Sequence, residues 1–402
     1  MLLTDTLKSL AKEATKIRES LTLADPRAGN VDTTLVGRGE RSVAARRGNP
    51  RWDALVAECA DLFQGVYAGS RPSWHLQEAM STSDFPLLFG DLLYRQMLGN
   101  YTPYPVSYPS YFRVLDVKDF RTLNLYTIDG GQAVMTKSLK QYEPYPEITF
   151  TEGRYQIQVA KYGRRYGINW EMVINDDLNA FAQRPLLMAT GARRSEEYLA
   201  TTMLAQSTGP HATFFSSGNN NLVTGNPALS IAGLQTAYQI LAAQKDAEGE
   251  PIVINAAVLV VPPALQITAE NIMNAVQLRL AEAGGTSNQL MYVNNWMKSK
   301  LRLAINPYLP IIDTTHGSTA WYLIADPTDM TSRPAFNFAF LRGYREPQLF
   351  VKDPDARLLG GGDVSAMEGS FDTDAIDYKL RHIFGAAQCD PKMAVTSHGN
   401  GS

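Results

Sequence analysis

Two stretches of alternating character, 112–128 and 155–173, limit the architectures open to this chain more than any other feature. In RYQIQVAKYGRRYGINW the residues Tyr155, Ile157 and Val159 fall on one side, the period-2 pattern of a strand with one covered face. Between the stretches runs a polar excursion through Gly130-Gly131 and Pro144 to Pro146. The pattern predicts two long strands joined by a tip, a hairpin arm reaching away from its own domain. Tyr162, Arg164, Arg165 and Tyr166 on the second strand are residue types enriched at protein contacts, and are candidate contact residues on that ground. A plain solvated strand face is the other reading of the same residues.

The second strand runs into VINDDLNAF, with two adjacent carboxylates, Asp176 and Asp177. Asn175 or Asp176 suits a helix N-cap, because its side-chain oxygen can accept from the unpaired amides of the first turn, where acid also favours the helix dipole. Carboxylates at consecutive positions point apart, so a catalytic or metal-binding role would need partners elsewhere in the chain. Pro185 predicts that a short helix gives way to a long one ending near Gln206. On the long helix Arg193 and Glu197 are four apart and Arg194 and Glu197 three apart. That spacing predicts a charged contact face opposite Leu187, Leu199 and Met203.

Beyond a turn-rich loop, HATFFSSGNNNLVTGN, helical spacing returns over Ile231 to Gln244. An apolar strand, Ala256 to Val261, stops at Pro262-Pro263 and precedes a helix whose expected apolar side is Leu265, Ile272, Met273, Val276 and Leu280. Short strands follow in LMYVNNW, AWYLIADP, AFNFAFLRG and PQLFVK. In TDAIDYKLRHIF, Ile376, Tyr378 and Leu380 alternate with Asp377, Lys379 and Arg381, a half-buried strand with a polar face. Strands mixed with helices on a broken rhythm indicate an α+β fold rather than a doubly wound sheet.

The N-terminal part reads differently. Leu3, Leu7, Leu10, Ala14, Ile17 and Leu21 form a heptad seam, and such a helix needs a partner to cover it. A Gly- and Pro-containing linker follows, basic through Arg38, Arg41, Arg46, Arg47 and Arg51. Its fragment GRGERSVAARRG lacks the strand, lysine and acidic partner of a phosphate loop, so a solvated arm is favoured over a nucleic-acid contact. The next helix, near Asp53 to Gln64, places Cys59 among core residues.

Composition removes whole classes. With 402 residues, 45% hydrophobic and 19% charged, the chain has enough apolar mass for two or three packed units. A net charge of -3 gives no bulk attraction to nucleic acid or anionic membrane. The two cysteines, Cys59 and Cys389, have no metal-ligand spacing and read as reduced thiols. Met1-Leu2-Leu3 runs into Thr4-Asp5 without a secretory pattern, and the longest apolar run, 256–261, is too short for a bilayer, so a soluble intracellular product is expected. The histidines His75, His211, His316, His382 and His398 are scattered and read as surface or turn residues. Gly360-Gly361-Gly362-Asp363 lacks the setting for phosphate cradling, and no catalytic motif occurs. No catalytic, metal or cofactor residue is assigned.

The order of pieces then becomes informative. AAVLVVPPALQITAENIM, AWYLIADPTD with PAFNFAFLRGYREPQLF, and YKLRHIFGAAQCDPKMAV resemble the major capsid proteins of tailed double-stranded-DNA bacteriophages, the Hong Kong 97-like fold. DFRTLNLY through KYGRRYGINWEMVINDDLNAF is similar to that family's extended loop leading into its spine helix. The resemblance implies a scaffold-like extension over 1–73, an N-terminal arm over 74–110 and an extended loop over 111–170. It also implies a peripheral domain over 171–230 and 363–402 and an axial domain over 231–362. It implies a structural, non-catalytic subunit that assembles as hexamers and pentamers into an icosahedral shell. Its partners would be portal, scaffold or decoration proteins and packaged double-stranded DNA held by non-specific contact, with no membrane. The location would be the virion capsid, assembled in the bacterial host cytoplasm. Tyr162, Arg164, Arg165, Tyr166, Arg193, Arg194 and Glu197 become inter-subunit candidates, and the arginines at 38–51 an internal basic segment. Lys137 or Lys140 lies where some relatives cross-link, without a matching partner motif. An encapsulin-like compartment around a cargo enzyme is the alternative with the same fold. A hydrolase using Asp176 and Asp177 is the alternative of another class.

Overall fold

The computed structural model describes residues 70, 94, 97–129, 151–169, 178–246, 249–254, 256–275, 277–281, 290–328, 333–352 and 375–400. In chain order the strands and main helices are β1 (Arg113–Val117), β2 (Leu123–Asp129), β3 (Thr151–Ile157), β4 (Ala160–Asn169), α1 (Leu178–Leu204), β5 (Ala205–Gln206), β6 (Gly209–Pro210), α2 (Ile231–Ala242), β7 (Ala257–Val261), α3 (Gln266–Asn274), β8 (Gln277–Ala281), β9 (Leu290–Asn294), β10 (Leu301–Ile305), β11 (Trp321–Ala325), β12 (Phe336–Leu341), β13 (Gln348–Val351), β14 (Ala375–Gln388) and β15 (Ala394–Ser397). The fold is α+β. Two compact units form, one from Gly163–Ala192, Glu346–His382 and the chain up to Tyr104, the other from Pro105–Tyr162, Arg193–Arg345 and Ile383–Ser402.

The larger unit is built around a four-stranded sheet in the order β10, β7, β11, β15, with β10 parallel to β7 and the other pairs antiparallel. AVLVV in β7 and WYLIA in β11 are buried at every position. That explains their unbroken apolar character, since a strand covered on both faces has no solvent side to mark with polar residues. Pro262-Pro263 ends β7 by removing two ladder donors in succession. Helix α2 starts where the Ser230 hydroxyl accepts from the Gly233 amide at 3.1 Å, and it buries Leu234, Ala237 and Leu241.

The same unit carries a second sheet, in which β1 runs parallel to β12 and β12 pairs antiparallel with the far half of β14, Phe336 opposite Gln388 and Phe340 opposite Phe384. Tyr108, Phe112, Phe214, Phe336, Phe338 and Phe384 are buried together in its core. Gly385 sits opposite Ala339, and a β-carbon there would run into the carbonyl oxygen of Gln158. Only glycine lets β14 pass this close to the chain leaving β3.

In the smaller unit the near half of β14 pairs antiparallel with β13, from Gln348 opposite Arg381 to Val351 opposite Tyr378, and β14 also pairs with β4. Leu380 is buried with Met97, Tyr101, Ala189 and Ala192. The alanines on α1 leave room for the helix to lie close to its neighbours.

Several expectations are corrected. Each predicted long strand is two strands: β1 and β4 join body sheets, and only β2 and β3 form the hairpin, paired from Leu123 opposite Ile157 to Asp129 opposite Thr151. Pro185 does not divide the helix, because α1 runs unbroken over 27 residues and absorbs the loss of one amide donor. Helix α3 ends at Asn274, and Leu280 belongs to β8. Leu187, assigned to the covered side of the long helix, is 66% exposed, while Leu199 and Met203 pack on the core. His382, expected at the surface, is buried. The final strand β15 pairs with β11. The heptad helix from Leu3 to Leu21, the basic segment Arg38, Arg41, Arg46, Arg47 and Arg51, the helix with Cys59, the caps Asn175 and Asp176, the tip with Lys137 and Lys140, His75 and the turn 360–363 lie outside the described residues.

Cys389 is a free thiol, buried beside Asn337, whose side-chain amide donates to its sulfur at 3.0 Å. Burial pushes the thiol up to about 12. Cys389 is therefore expected to resist a disulfide-exchange reagent at pH about 8 in the folded chain and to react at once in denaturant, because the thiolate is the nucleophile. Peptide mass spectrometry of the labelled site checks this, and rapid native labelling would contradict the burial.

Candidate assembly surfaces

The β2–β3 ribbon has two unlike faces. Directly opposed residues share a face, so Leu123 with Ile157 and Leu125 with Tyr155 form one side, and Asn124 with Gln156 and Tyr126 with Arg154 the other. At the root, Ile157 and Val159 are buried with Val117, Ile383 and Leu341, and Leu125 packs on them. The cover is incomplete. At the root Leu123, opposite Ile157, is 38% exposed and Phe120 in the turn before β2 46%, and Tyr126 on the other face is 61% exposed. The Asn124 side chain accepts from Gln156 at 3.1 Å, and Gln158 Nε2 donates to the Phe120 carbonyl at 2.9 Å, which fixes the root turn.

On β4 the candidates are divided. Tyr162, 40% exposed, stacks on Phe384 with centroids 4.4 Å apart. Tyr166 stacks on Tyr378 at 5.1 Å, and Arg164 and Arg165 are exposed. The tyrosines thus spend one ring face on their own unit.

The charged face of α1 is organised differently from its spacing. Arg193 pairs with Glu196 at 3.1 Å, not with Glu197. Glu197 is buried and turned inward: it accepts from the Ser107 amide at 2.9 Å, from the Tyr108 amide at 3.3 Å and from the Ser107 hydroxyl. Its place among outward contacts is corrected, because its carboxylate is used up on the chain's own backbone. Arg194 is exposed. Glu196, which spacing did not single out, is fully buried and accepts from the Tyr108 hydroxyl at 2.9 Å.

These bonds belong to one directional network. Asn306 Nδ2 donates to the Tyr111 hydroxyl at 3.0 Å and to Thr201 Oγ1 at 2.8 Å, and Thr201 donates to the Glu197 carbonyl at 2.7 Å. Asn306 Oδ1 accepts from the Tyr308 amide at 2.8 Å. With the Ser107 proton committed to Glu197, the Tyr111 proton is left for Ser107 Oγ, 3.0 Å away. Burial raises Glu197 above the usual carboxylate value, and burial and the nearby Glu197 raise Tyr111 well above the usual phenol value. The network fastens residues 107–111, which lead into β1 and the hairpin, to α1. No sequence motif marks it, since Ser107, Tyr111, Thr201 and Asn306 are polar residues spread widely along the chain; the adjacent acids Glu196 and Glu197 were its only visible sign.

Among the described residues no group of three or more His, Cys, Asp or Glu could hold a metal ion, and no helix is long and apolar enough to cross a membrane. His316 and His398 pack edge to face at 4.9 Å. Burial and the neighbouring His316 lower His398, and burial lowers His211.

The family model for phage capsid protein matches residues 154–397, more than half of the chain, from β3 through β15. The chain belongs to the phage capsid protein family. As a capsid protein it is a structural shell component, and the compartment alternative is not favoured. No curated protein matches it. Similar solved structures include the capsid of Cyanophage P-SCSP1u, at 11% identity and TM-score 0.40, covering 73% of this chain and 87% of that one. The capsid of Cyanophage Pam1 is similar at 13% identity and TM-score 0.41, covering 75% and 93%. A structure from Microbacterium phage Oxtober96 is similar at 9% identity and TM-score 0.42, covering 71% and 85%.

Proposed function

We propose that this capsid protein is the major head subunit of a tailed phage, assembling as hexamers and pentamers into a closed icosahedral shell around double-stranded DNA. The observation that carries the reading is the β2–β3 ribbon, whose Tyr126 and Leu123, on opposite faces, are left exposed by their own unit. In a shell a neighbouring copy covers these side chains, and burial contributes roughly 25 cal/mol per Å² of apolar surface. In this scheme the hairpin serves as the extended loop, α1 as the spine helix, residues 74–110 as the arm, 1–73 as the scaffold-like extension, and the β7 sheet as the centre of an axial domain. Arg164, Arg165, Arg194, Tyr162 and Tyr166 are proposed inter-subunit contacts. The arginines at 38–51 are proposed to face the genome without reading sequence. Portal and scaffold or decoration proteins are the other proposed partners, and assembly occurs in the host cytoplasm. The subunit is proposed to have no catalytic task, and Asn175 or Asp176 is proposed as a helix cap.

Many weak heterologous contacts close a shell, so a small loss per subunit is multiplied over the particle. The pair Leu123→Ser with Tyr126→Ser is expected to abolish closed shells in electron micrographs while leaving the thermal transition of the unassembled chain within about 2 °C, since surface substitutions alter stability by about 0.5 kcal/mol or less. Normal shells from the double variant would remove the hairpin from the assembly scheme. A wild-type chain that stays monomeric at high concentration would remove the shell reading itself.

A further inference from the structure

Two half-buried histidines meet beyond the last strand. His316 stands in the turn 313–320 and His398 directly after β15, and their rings pack edge to face with centres 4.9 Å apart. Both rings close on the bare side of Gly209 in the β5–β6 turn, where an added β-carbon would stand 3.3 Å from His316 Cδ2 and 3.6 Å from His398 Cε1. Past β15 the chain is tied by single bonds. The Thr319 hydroxyl donates to the His398 carbonyl at 2.9 Å, the His398 amide to Asn226 Oδ1 at 3.4 Å, and the Gly399 amide to Ser397 Oγ at 3.2 Å. Gly399, at φ 71°, passes so close to the Thr319 carbonyl that no β-carbon fits there. Ladder pairing of β15 with β11 ends at Ser397, so 398–400 are held by these contacts and by the ring pair.

Charge is scarce around the pair. The surrounding stretches 205–210, 226–230, 313–320 and 394–400 contain three titratable residues, Asp313, His316 and His398. His211 follows directly on the β5–β6 turn. Tyr322 on β11, within reach of the Asp313 charge, is kept protonated by burial and by that carboxylate. Asp313 is buried, and its Oδ1 accepts from the Thr315 and His316 amides at 3.0 and 2.7 Å. Its Oδ2 has no hydrogen-bond partner among the described residues. One carboxylate can balance one imidazolium, and a neutral ring can offer its face to a cation. Two imidazolium rings at 4.9 Å exceed that one acid and repel each other. Burial and His316 hold His398 below its ordinary value of 6.5, with Asp313 opposing them. The unfolded chain thus binds this proton more readily, so the contribution of the neutral pair is present above pH 6.5 and is lost as pH falls through the lowered value. We propose that the His316–His398 pair is a proton-operated clasp, holding 398–400 against Gly209 and Thr319 at neutral pH and releasing that segment in acid. The clasp goes beyond the shell reading and does not depend on it, because every residue named belongs to the larger unit of one copy.

Hydrogen exchange read by mass spectrometry on the unassembled full-length chain tests the clasp, with protection factors compared so that the intrinsic pH dependence of exchange cancels. Between pH about 8 and about 5, where imidazoles titrate, protection of 398–400 is expected to fall about fivefold, the factor a half-exposed charge pair carries, while β7 keeps its protection. His398→Gln and His316→Gln each leave one ring of the pair. Either change is expected to make protection of the segment independent of pH to within about twofold. His211→Gln, the control, is expected to behave as the wild type does. Equal loss in β7 and in 398–400 overturns the proposal, because acid then unfolds the whole unit. So does a wild type without local loss, a pH response that survives in both single variants, or a response that disappears in the control. Should a variant fail to fold, the comparison of 398–400 with β7 in the wild type still decides.

Discussion

Replacing Phe338 with alanine is expected to lower the unfolding free energy of the unassembled chain by about 3–5 kcal/mol, the range for removing a fully buried aromatic side chain. Phe338 is the hub of the aromatic core. It stacks on Tyr108 at 4.4 Å, meets Phe340 at 5.1 Å and Phe384 at 5.8 Å, and stands edge-on to Phe112 at 6.4 Å. Those partners come from the segment before β1, from β12 itself and from β14, so the cavity would open where three stretches of chain meet. None of them can close it alone, because each is held by ladder pairs or by the Glu197 network. Phe120→Ala is the matched control, an exposed ring whose loss should alter stability by about 0.5 kcal/mol or less. Urea denaturation of both variants decides the matter. A Phe338→Ala loss below about 1 kcal/mol would mean that the core collapses onto the gap and that the stack is not what sets its shape.

Legibility of the fold in the sequence followed the kind of signal each element carries. Buried strands β7, β11 and β12 announced themselves because a strand covered on both faces is a short apolar run, and Pro262-Pro263 marked an end that no ladder can cross. The alternation of β14 was equally plain, and its buried Tyr378 and Leu380 fall where it put them. What failed was reading continuity. The chain changes partners between Val117 and Leu123 and again at Gln158, and the alternation of Tyr155, Ile157 and Val159 crosses Gln158 without a break, because a strand that leaves one sheet and enters another can keep the same alternation. Pro185 misled in the opposite direction, since the helix runs on through it and buries Ala189, Ala192, Ala200 and Leu204 beyond it. The surface candidates were half legible. Tyr and Arg on β4 were marked by type, but Glu197 was placed on the outer face by spacing alone, and spacing cannot register two amides arriving from 90 positions away. The pairing of Phe350 with Lys379 was invisible for the same reason, being set by cross-strand register between β13 and β14.

Glu197→Leu is expected to destabilise the chain by about 3–5 kcal/mol, because an apolar side chain of similar size leaves the Ser107 amide, the Tyr108 amide and the Ser107 hydroxyl without their acceptor at once. The loss should be local before it is global. Amides of residues 107–112 should exchange with solvent sooner than those of β7, since the network is what holds that segment on α1. Glu197→Gln separates shape from charge: its amide oxygen still accepts, while the proton equilibrium disappears. Burial raises the Glu197 carboxyl above its ordinary value of 4.5. The folded state therefore holds this proton more tightly than the unfolded chain does. Its contribution is fully present below pH 4.5 and is lost as pH rises through the raised folded value, after which it stays constant. Relative to Glu197→Gln, the wild type should accordingly become less stable as pH rises from about 4 through the raised value, with the difference flat beyond it. Stability measured by urea at a series of pH values gives the two curves. If they run parallel across that interval, Glu197 holds the segment 107–111 by hydrogen bonding alone and proton release plays no part in fastening the hairpin root to α1.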